Sequence, residues 1–281
     1  MTSLKLVEAI SHPCKVTNED LFDYNARAAW IFDGASGIGP KVIPSSPSDP
    51  FWLVQSMNAA IKRRWHDEKS TPDLLTEAAD DVIESFLQIA QDPVPPMIDR
   101  PTACWLMARL WDGQLELSAV GDCCLVHKGL NGTTSFGGKI SDELAAPVRQ
   151  ELKRLKAEGV DAGKLADLLR PLEREFRAKA NVDGGYAIVD LTQRWISRIE
   201  QSRVLISPGD HILLMTDGLY RLIDTFHKYD TDGLLEAALL MGLSPLYEEL
   251  RALELHDEDC ATFPRAKAQD DVAAALMAIG V

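Results

Sequence analysis

The chain has 281 residues, 46% of them hydrophobic, and a formal net charge of −14. That length suits one large layered domain with a sizeable core. The charge excludes nucleic acid and anionic membranes as partners, because both would repel such a surface, and no run approaches the roughly 18 apolar residues of a membrane span.

Residues 4–10 alternate apolar and polar side chains and read as a first strand. Ser11-His12-Pro13 breaks it, and the polar stretch from Lys15 to Asn18, Glu19 and Asp20 follows. Residues 26–32 read as the next strand, whose run Ala28-Ala29-Trp30-Ile31-Phe32 passes straight into Asp33-Gly34. The expectation is a buried strand that ends at Asp33 and holds its carboxylate in a fixed place. Gly34 has no side chain, so its carbonyl can approach a ligand closely. Residues 37–50, rich in Gly, Pro and Ser, are predicted as loop. Asp49-Pro50 reads as an N-cap followed by a first-turn proline, with Trp52, Leu53, Met57, Ala60 and Ile61 at helical spacing behind it. A second helix is predicted from Thr71-Pro72, with the stripe Leu75, Ala78, Ala79, Val82, Ile83, Phe86 and Leu87.

Residues 91–101 hold four prolines and read as a connector. Strands are predicted over 102–111 and 114–120, joined by Asp112-Gly113, a strong hairpin signal. Gly121-Asp122 closes the second of them, a short strand follows over 123–127, and residues 129–132 turn it back. Residues 141–180 change character: Ser141-Asp142-Glu143-Leu144 and Asp161-Ala162-Gly163-Lys164-Leu165 open two charged helical patterns that read as an insertion. Strands resume over 186–189 and 195–206, Ser207-Pro208-Gly209-Asp210 is a tight turn, and 211–216 is a buried strand ending in Asp217-Gly218. Helical patterns fill 219–226, 231–241 and 245–255. The last segment begins Gln269-Asp270-Asp271, and its alanines favour helix by propensity. Strands followed by helices, with no repeat and no linker, indicate an α+β fold of stacked layers and a single domain over 1–281.

The five cysteines include no CxxC pair, and Cys123-Cys124 are adjacent, so all read as reduced packing thiols. The N-terminus lacks the basic start and apolar run of a signal peptide. A cytoplasmic location is the expectation.

Four acids stand beside predicted strand ends, at Asp33, Asp122, Asp217 and Asp270-Asp271, and Glu19-Asp20 adds a fifth acidic point. Carboxylates gathered without a cation would repel each other and bind protons more tightly. Hard divalent cations with oxygen ligands remove that cost. Two such ions roughly 3.5–4 Å apart can activate a water for phosphate-ester hydrolysis.

The order and context of these points resemble the metal-dependent serine/threonine protein phosphatases, the PPM or protein phosphatase 2C type, in their bacterial form. The matching stretches are Asn18-Glu19-Asp20, Phe32-Asp33-Gly34-Ala35-Ser36-Gly37, Pro101-Thr102-Ala103, Val120-Gly121-Asp122, Pro208-Gly209-Asp210 with Leu214-Met215-Thr216-Asp217-Gly218, and Gln269-Asp270-Asp271. The resemblance implies a four-layer α-β-β-α sandwich with two central, mostly antiparallel sheets, and hence a final strand where propensity favours helix. It implies two Mn²⁺ or Mg²⁺ ions, with the third site of bacterial members. Asp33 would bridge two of them, the Gly34 carbonyl would bind the second, and Asp217 and Asp270 the first. Glu19 and Asp20 would hold metal-bound waters, Asp122 would join Asp217 at a third site, and Thr102 would stand nearby. The partner implied is a phosphorylated protein, the chain a monomer, and the insertion at 141–180 the flap beside the active site.

Three positions depart from the family pattern. Lys15 stands where many members carry a phosphate-gripping arginine, and a lysine offers a point charge in place of a bidentate fork. Ala35 stands where some have a histidine as general acid, and Cys123 where serine is usual. Lys15 and Ala35 leave open an alternative, a phosphatase-fold module that binds a phosphorylated partner without turnover. A cysteine phosphatase is excluded because Cys104 and Arg109 are one residue too close. An aspartyl-phosphate mechanism lacks its second Asp after Asp33, and Gly34-Ala35-Ser36-Gly37-Ile38 is not a nucleophile elbow. The six histidines show no ligand spacing and read as surface or capping groups, and His256-Asp257-Glu258-Asp259 as a solvated charge run.

Overall fold

Alternation along two apolar strands sets the layering. In the computed structural model, which describes residues 2–35, 37–90, 93–129, 132–137, 140, 142–160 and 162–281, strand β3 (Ala28–Ala35) is buried on both faces. Trp30 and Phe32 point one way, into a core shared with α1 (Asp49–Arg64) and α2 (Thr71–Ile89). Ala29 and Ile31 point the other way, into the core between two sheets. Strand β9 (His211–Met215) does the same from the opposite side. Its Ile212 and Leu214 face the inter-sheet core, while Leu213 and Met215 face the second helical layer.

One sheet has the order β2 (Leu21–Tyr24), β3, β4 (Thr102–Trp111), β5 (Gln114–Val120), β8 (Glu200–Val204). The other runs β1 (Ser3–His12), β10 (Val272–Gly280), β9, β6 (Cys124–Gly129), β7 (Gly132–Gly137). Every neighbouring pair in both is antiparallel. Helices α5 (Asp217–Asp224), α6 (Thr231–Met241) and α7 (Leu243–His256) cover the outer face of the second sheet. The result is the expected α+β sandwich of layers α-β-β-α. Helices α3 (Asp142–Ala157) and α4 (Ala162–Arg177) form the predicted insertion and share a small core of Leu152, Leu155, Leu165 and Leu169. No described helix is long and apolar enough to cross a membrane.

Several local expectations are corrected. β3 does not stop at Asp33: Asp33 pairs with Cys104, Gly34 with Ala103 and Ala35 with Thr102, because the backbone ladder needs no apolar side chain to continue. The N-cap of α1 is Ser48, whose hydroxyl accepts from the Phe51 amide at 3.3 Å. Asp49 instead accepts from the Val42 and Ile43 amides, both at 2.8 Å, and pins the preceding loop. Leu87 is 56% exposed and lies outside the apolar stripe of α2. Residues 186–189 make only isolated bridges, Ala180 to Tyr186 and Ala103 to Val189. Part of 195–206 is a short 3-10 turn, Ile196–Arg198, ahead of β8. Strand β2 was not anticipated. The last segment is strand, inserted between β1 and β9. Its small alanines are buried on both sides, and packing overrides their helical propensity.

Two charge readings also change. His127 is buried and its Nε2 lies 3.1 Å from Asp210 Oδ2. Asp257 is buried, accepting from Arg265 Nη1 at 2.6 Å, whereas His256, Glu258 and Asp259 are exposed, so the solvated run of 256–259 is interrupted at that one position. The hairpin signal at Asp112-Gly113 is borne out, both residues having positive φ, 51° and 76°. Ser36, Leu130, Asn131, Ser141 and Asp161, which fall in predicted turns and helix starts, lie outside the described residues.

Candidate active site

The ends of the two sheets that carry the C-termini of β1, β3, β5 and β9 open on one cleft. Four chain segments bring acids to it. The β1–β2 connection supplies Glu19 and Asp20, β3 supplies Asp33, the first residue of α5 is Asp217, and the turn before β10 supplies Asp270 and Asp271. Asp122, in the turn between β5 and β6, completes the set. The cleft divides into two adjoining cavities of about 460 Å³ and about 490 Å³, both lined by Lys15, Asp33, Gly34, Gly37, Lys267 and Asp270.

Backbone contacts explain why glycine follows two of these acids. A Cβ on Gly34 would press on the Glu19 carbonyl and Pro50, and one on Gly218 would overlap the Asp271 carbonyl. Gly34 N–H donates to Glu19 O at 3.1 Å. Glycine thus lets the β1–β2 connection close on β3, and α5 close on the entry to β10. Gly121 has φ 81°, and a Cβ there would strike Cys104. Asp271 ties the same region together, accepting from the Cys14 amide at 2.8 Å and the Glu19 amide at 2.6 Å. That is an anchoring contact and engages both of its oxygens.

The acids stand in each other's field. Burial, reinforced by Asp20, Asp217, Asp122 and Asp270, pushes the Asp33 carboxyl well above its ordinary range. Asp20 is raised by burial and by Asp217, Asp271 and Asp270, although the Thr216 hydroxyl donates to it at 2.7 Å. Burial, then Asp270 and Asp122, push Asp217 up to about 7. Glu19 and Asp122 move in the same direction, burial again leading. Protons or cations are therefore favoured here.

No protein-family model and no curated protein sequence matches the chain. Solved structures do. The catalytic domain of the serine/threonine phosphatase PstP in complex with two manganese ions is 15% identical, with all of both chains covered and a TM-score of 0.58. The Mycobacterium tuberculosis serine/threonine phosphatase PstP/Ppp is 16% identical over 99% of this chain and 100% of that one, TM-score 0.58. PppA of Pseudomonas aeruginosa, a regulatory component of T6SS, is 16% identical over 99% and 100%, TM-score 0.55. The chain has the fold of the bacterial PPM phosphatases.

Within that PPM fold, Asp33, Gly34, Asp122, Asp217 and Asp270 line one cavity, and Glu19, Asp20 and Lys15 line its neighbour. Lys15 is exposed, on the polar connection after β1, with no bonding partner among the described residues. Thr102 is buried on β4 opposite Ala35, its hydroxyl without a partner among the described residues. The donor set, carboxylate and carbonyl oxygens under mutual repulsion, suits a hard divalent cation. Yet among the described residues no three His, Cys, Asp or Glu side chains stand at metal-binding spacing. Asp270 is engaged by cations of the chain: its Oδ1 accepts from Lys267 Nζ at 2.9 Å and its Oδ2 from Arg221 Nη2 at 2.8 Å.

Lys267 and Arg221 were not anticipated. Arg221 lies four residues after Asp217 on one helix, a spacing at which opposite charges are neighbours, but its bonded partners are Asp270 and Glu254. Lys267 sits in an irregular turn with no periodicity to place it. Helix α4 supplies the far wall through Leu165, Leu169, Arg170 and Phe176, so the insertion borders the acids directly.

Proposed function

We propose that this protein is a Mn²⁺- or Mg²⁺-dependent phosphatase that hydrolyses phosphoserine and phosphothreonine in proteins. One observation carries the reading: four acids from distant parts of the chain, Asp33, Asp122, Asp217 and Asp270, line one cavity of a PPM fold, and burial together with the neighbouring carboxylates pushes the carboxyls of Asp33, Asp122 and Asp217 up. In this reading Asp33 is shared by two cations and the Gly34 carbonyl serves the second. Asp217 and Asp270 would serve the first, Glu19 and Asp20 would hold metal-bound waters, and Asp122 with Asp217 would provide a third position near Thr102. When bound, the cations neutralise the phosphate and supply a water acidic enough to attack it near neutral pH.

The remaining work falls to side chains. Lys15, exposed and without a bonding partner among the described residues, can reach a non-bridging phosphate oxygen through one charge-assisted contact. Ala35 offers no proton, so the leaving group's proton must come from another donor. Leu165, Leu169 and Phe176 place an apolar wall beside the acids. We read the chain as one cytoplasmic, monomeric domain in which α3 and α4 select the phosphorylated protein.

A second reading, a module that holds a phosphorylated partner without turnover, draws on Lys15, Ala35 and the engagement of Asp270 by Lys267. Phosphate release from an aryl phosphate separates the two. Release that stops with a chelator and returns with Mn²⁺ supports the phosphatase. Release that survives full metal removal overturns it, and no release with Mn²⁺ favours the binding module.

A further inference from the structure

Asp270 differs from the other acids of the cleft in being claimed by cations of this chain on both oxygens. Arg221 takes Oδ2 at 2.8 Å and cannot leave. Its other arm donates to Glu254 Oε1 at 2.8 Å, and Glu254 is fully buried and also paired with Arg251. Arg251 in turn donates to the Asp270 carbonyl at 2.6 Å. Lys267 takes Oδ1 at 2.9 Å under different conditions. It lies in the turn before β10, its side chain is 40% exposed, and its flexible stem can swing outward. Asp33, by contrast, has no bonded cation among the described residues.

We propose that Lys267 is a built-in cation that competes with the divalent metal for Asp270, so that metal enters beside Asp270 only as the lysine swings away. This rests on the metal-dependent reading above. The lysine stabilises the acid cluster when metal is scarce and weakens the position at Asp270 relative to the one at Asp33. The fixed Arg221 contributes background charge, and Lys267 is the movable part.

The test is Mn²⁺ binding by the full chain, measured by titration calorimetry, with thermal unfolding in chelator and in Mn²⁺. Lys267→Met removes the charge and keeps the length. Lys267→Gln keeps a polar end should the first variant fold poorly. Lys267→Arg keeps the charge, and Lys62→Met on the outer surface of α1 controls for net charge. Losing one charge-assisted competitor should tighten the weaker Mn²⁺ position about tenfold or more. Lys267→Arg should stay near wild type, and Lys62→Met within about twofold. The Met and Gln variants should also melt lower than wild type in chelator and gain more from Mn²⁺, a crossing that a purely structural lysine would not produce. Mn²⁺ binding by Lys267→Met but not by wild type would support the proposal in its strongest form. If wild type binds Mn²⁺ and the Met and Gln variants bind it no tighter than Lys62→Met, the proposal fails and the metal reading stands. If no form binds Mn²⁺, both fail.

Discussion

The two sides of the cleft carry the same kind of acid in different company. On the β3 side, Asp33 has no bonded cation among the described residues, and burial together with the neighbouring carboxylates raises its proton affinity. On the β10 side, Asp270 sits between Lys267 and Arg221, and Asp271 spends its charge on two backbone amides. The difference separates two uses of a buried carboxylate. One that is compensated by the chain holds structure together. One that is left uncompensated costs stability, and it persists where something from outside is to be bound.

The strongest way to break this contrast is Asp33→Asn. It removes one charge and keeps the shape. Phosphate release should fall by about a hundredfold or more, the scale of losing a preorganised charge contact. The protein in chelator should melt at an unchanged or higher temperature, because the repulsion is relieved. Near-normal turnover, or a clear loss of stability in chelator, would remove Asp33 from the chemistry.

Lys15→Ala tests the exposed cation on the β1–β2 connection, which has no bonding partner among the described residues. A single charge-assisted contact to phosphate contributes about 1.5–3 kcal/mol, so kcat/KM should drop by roughly 10- to 150-fold. Lys15→Arg should keep or improve it, since a fork can hold two oxygens. If both variants stay within about twofold, Lys15 is a solvated residue on the β1–β2 connection. If Lys15→Arg switches on hydrolysis in an otherwise silent protein, the binding module is the better reading.

The contrast also has a pH signature. The Asp217 carboxyl is raised from 3.8 to about 7 by burial and by Asp270 and Asp122. For an acid whose folded pKa lies above its unfolded one, the folded state binds the proton more tightly. The stabilisation is then full below the unfolded value and is lost as pH rises through the folded one. In chelator the melting temperature should therefore decline from pH near 4 to about 7, and Asp217→Asn should flatten that decline. A wild-type profile with no decline over this window would mean that the acids are compensated after all.

What could be read from the sequence follows the same division. Long apolar runs such as 102–111 and 211–216 announce strands because burial on both faces leaves few polar residues to confuse the pattern. Residues 272–280 are just as buried but are made of alanine, whose propensity points elsewhere. Only their place between β1 and β9 decides them. Four-residue β2, half-buried, is too short for any period to show. Residues 186–189 look like a strand, yet their backbone is served by Asn181, whose side chain donates to Ile188 O and accepts from Ile188 N. At the site, uncompensated acids were legible because each closes an apolar run or abuts a glycine. The compensating cations were not. Lys267 and the contacts of Asp271 exist only where the turn before β10 meets the rest of the fold, and no local pattern records such a meeting.

The smallest effect is expected at the wall opposite the acids. Helix α4 is tied to the body by Arg174 with Asp99 at 2.6 Å and by the stacking of Phe176 on Tyr186, ring centroids 4.6 Å apart. Arg170 on the same helix lines the cleft and reaches the Gly37 carbonyl at 3.5 Å, a long contact that a substrate carboxylate can replace. Arg170→Glu reverses the charge at this rim and leaves Asp33, Asp217 and Asp270 untouched. An exposed ion pair contributes roughly 0.2–1 kcal/mol, so relative use of acid-flanked over base-flanked phosphopeptides should fall by about 1.4- to 5-fold. Aryl phosphate has no flanks to read, and its hydrolysis should stay within about twofold. A parallel loss of aryl phosphate hydrolysis would place α4 within the chemistry. An unchanged peptide preference would deny the helix any part in selection, and the contrast that matters would then lie wholly between the β3 and β10 sides of the cleft.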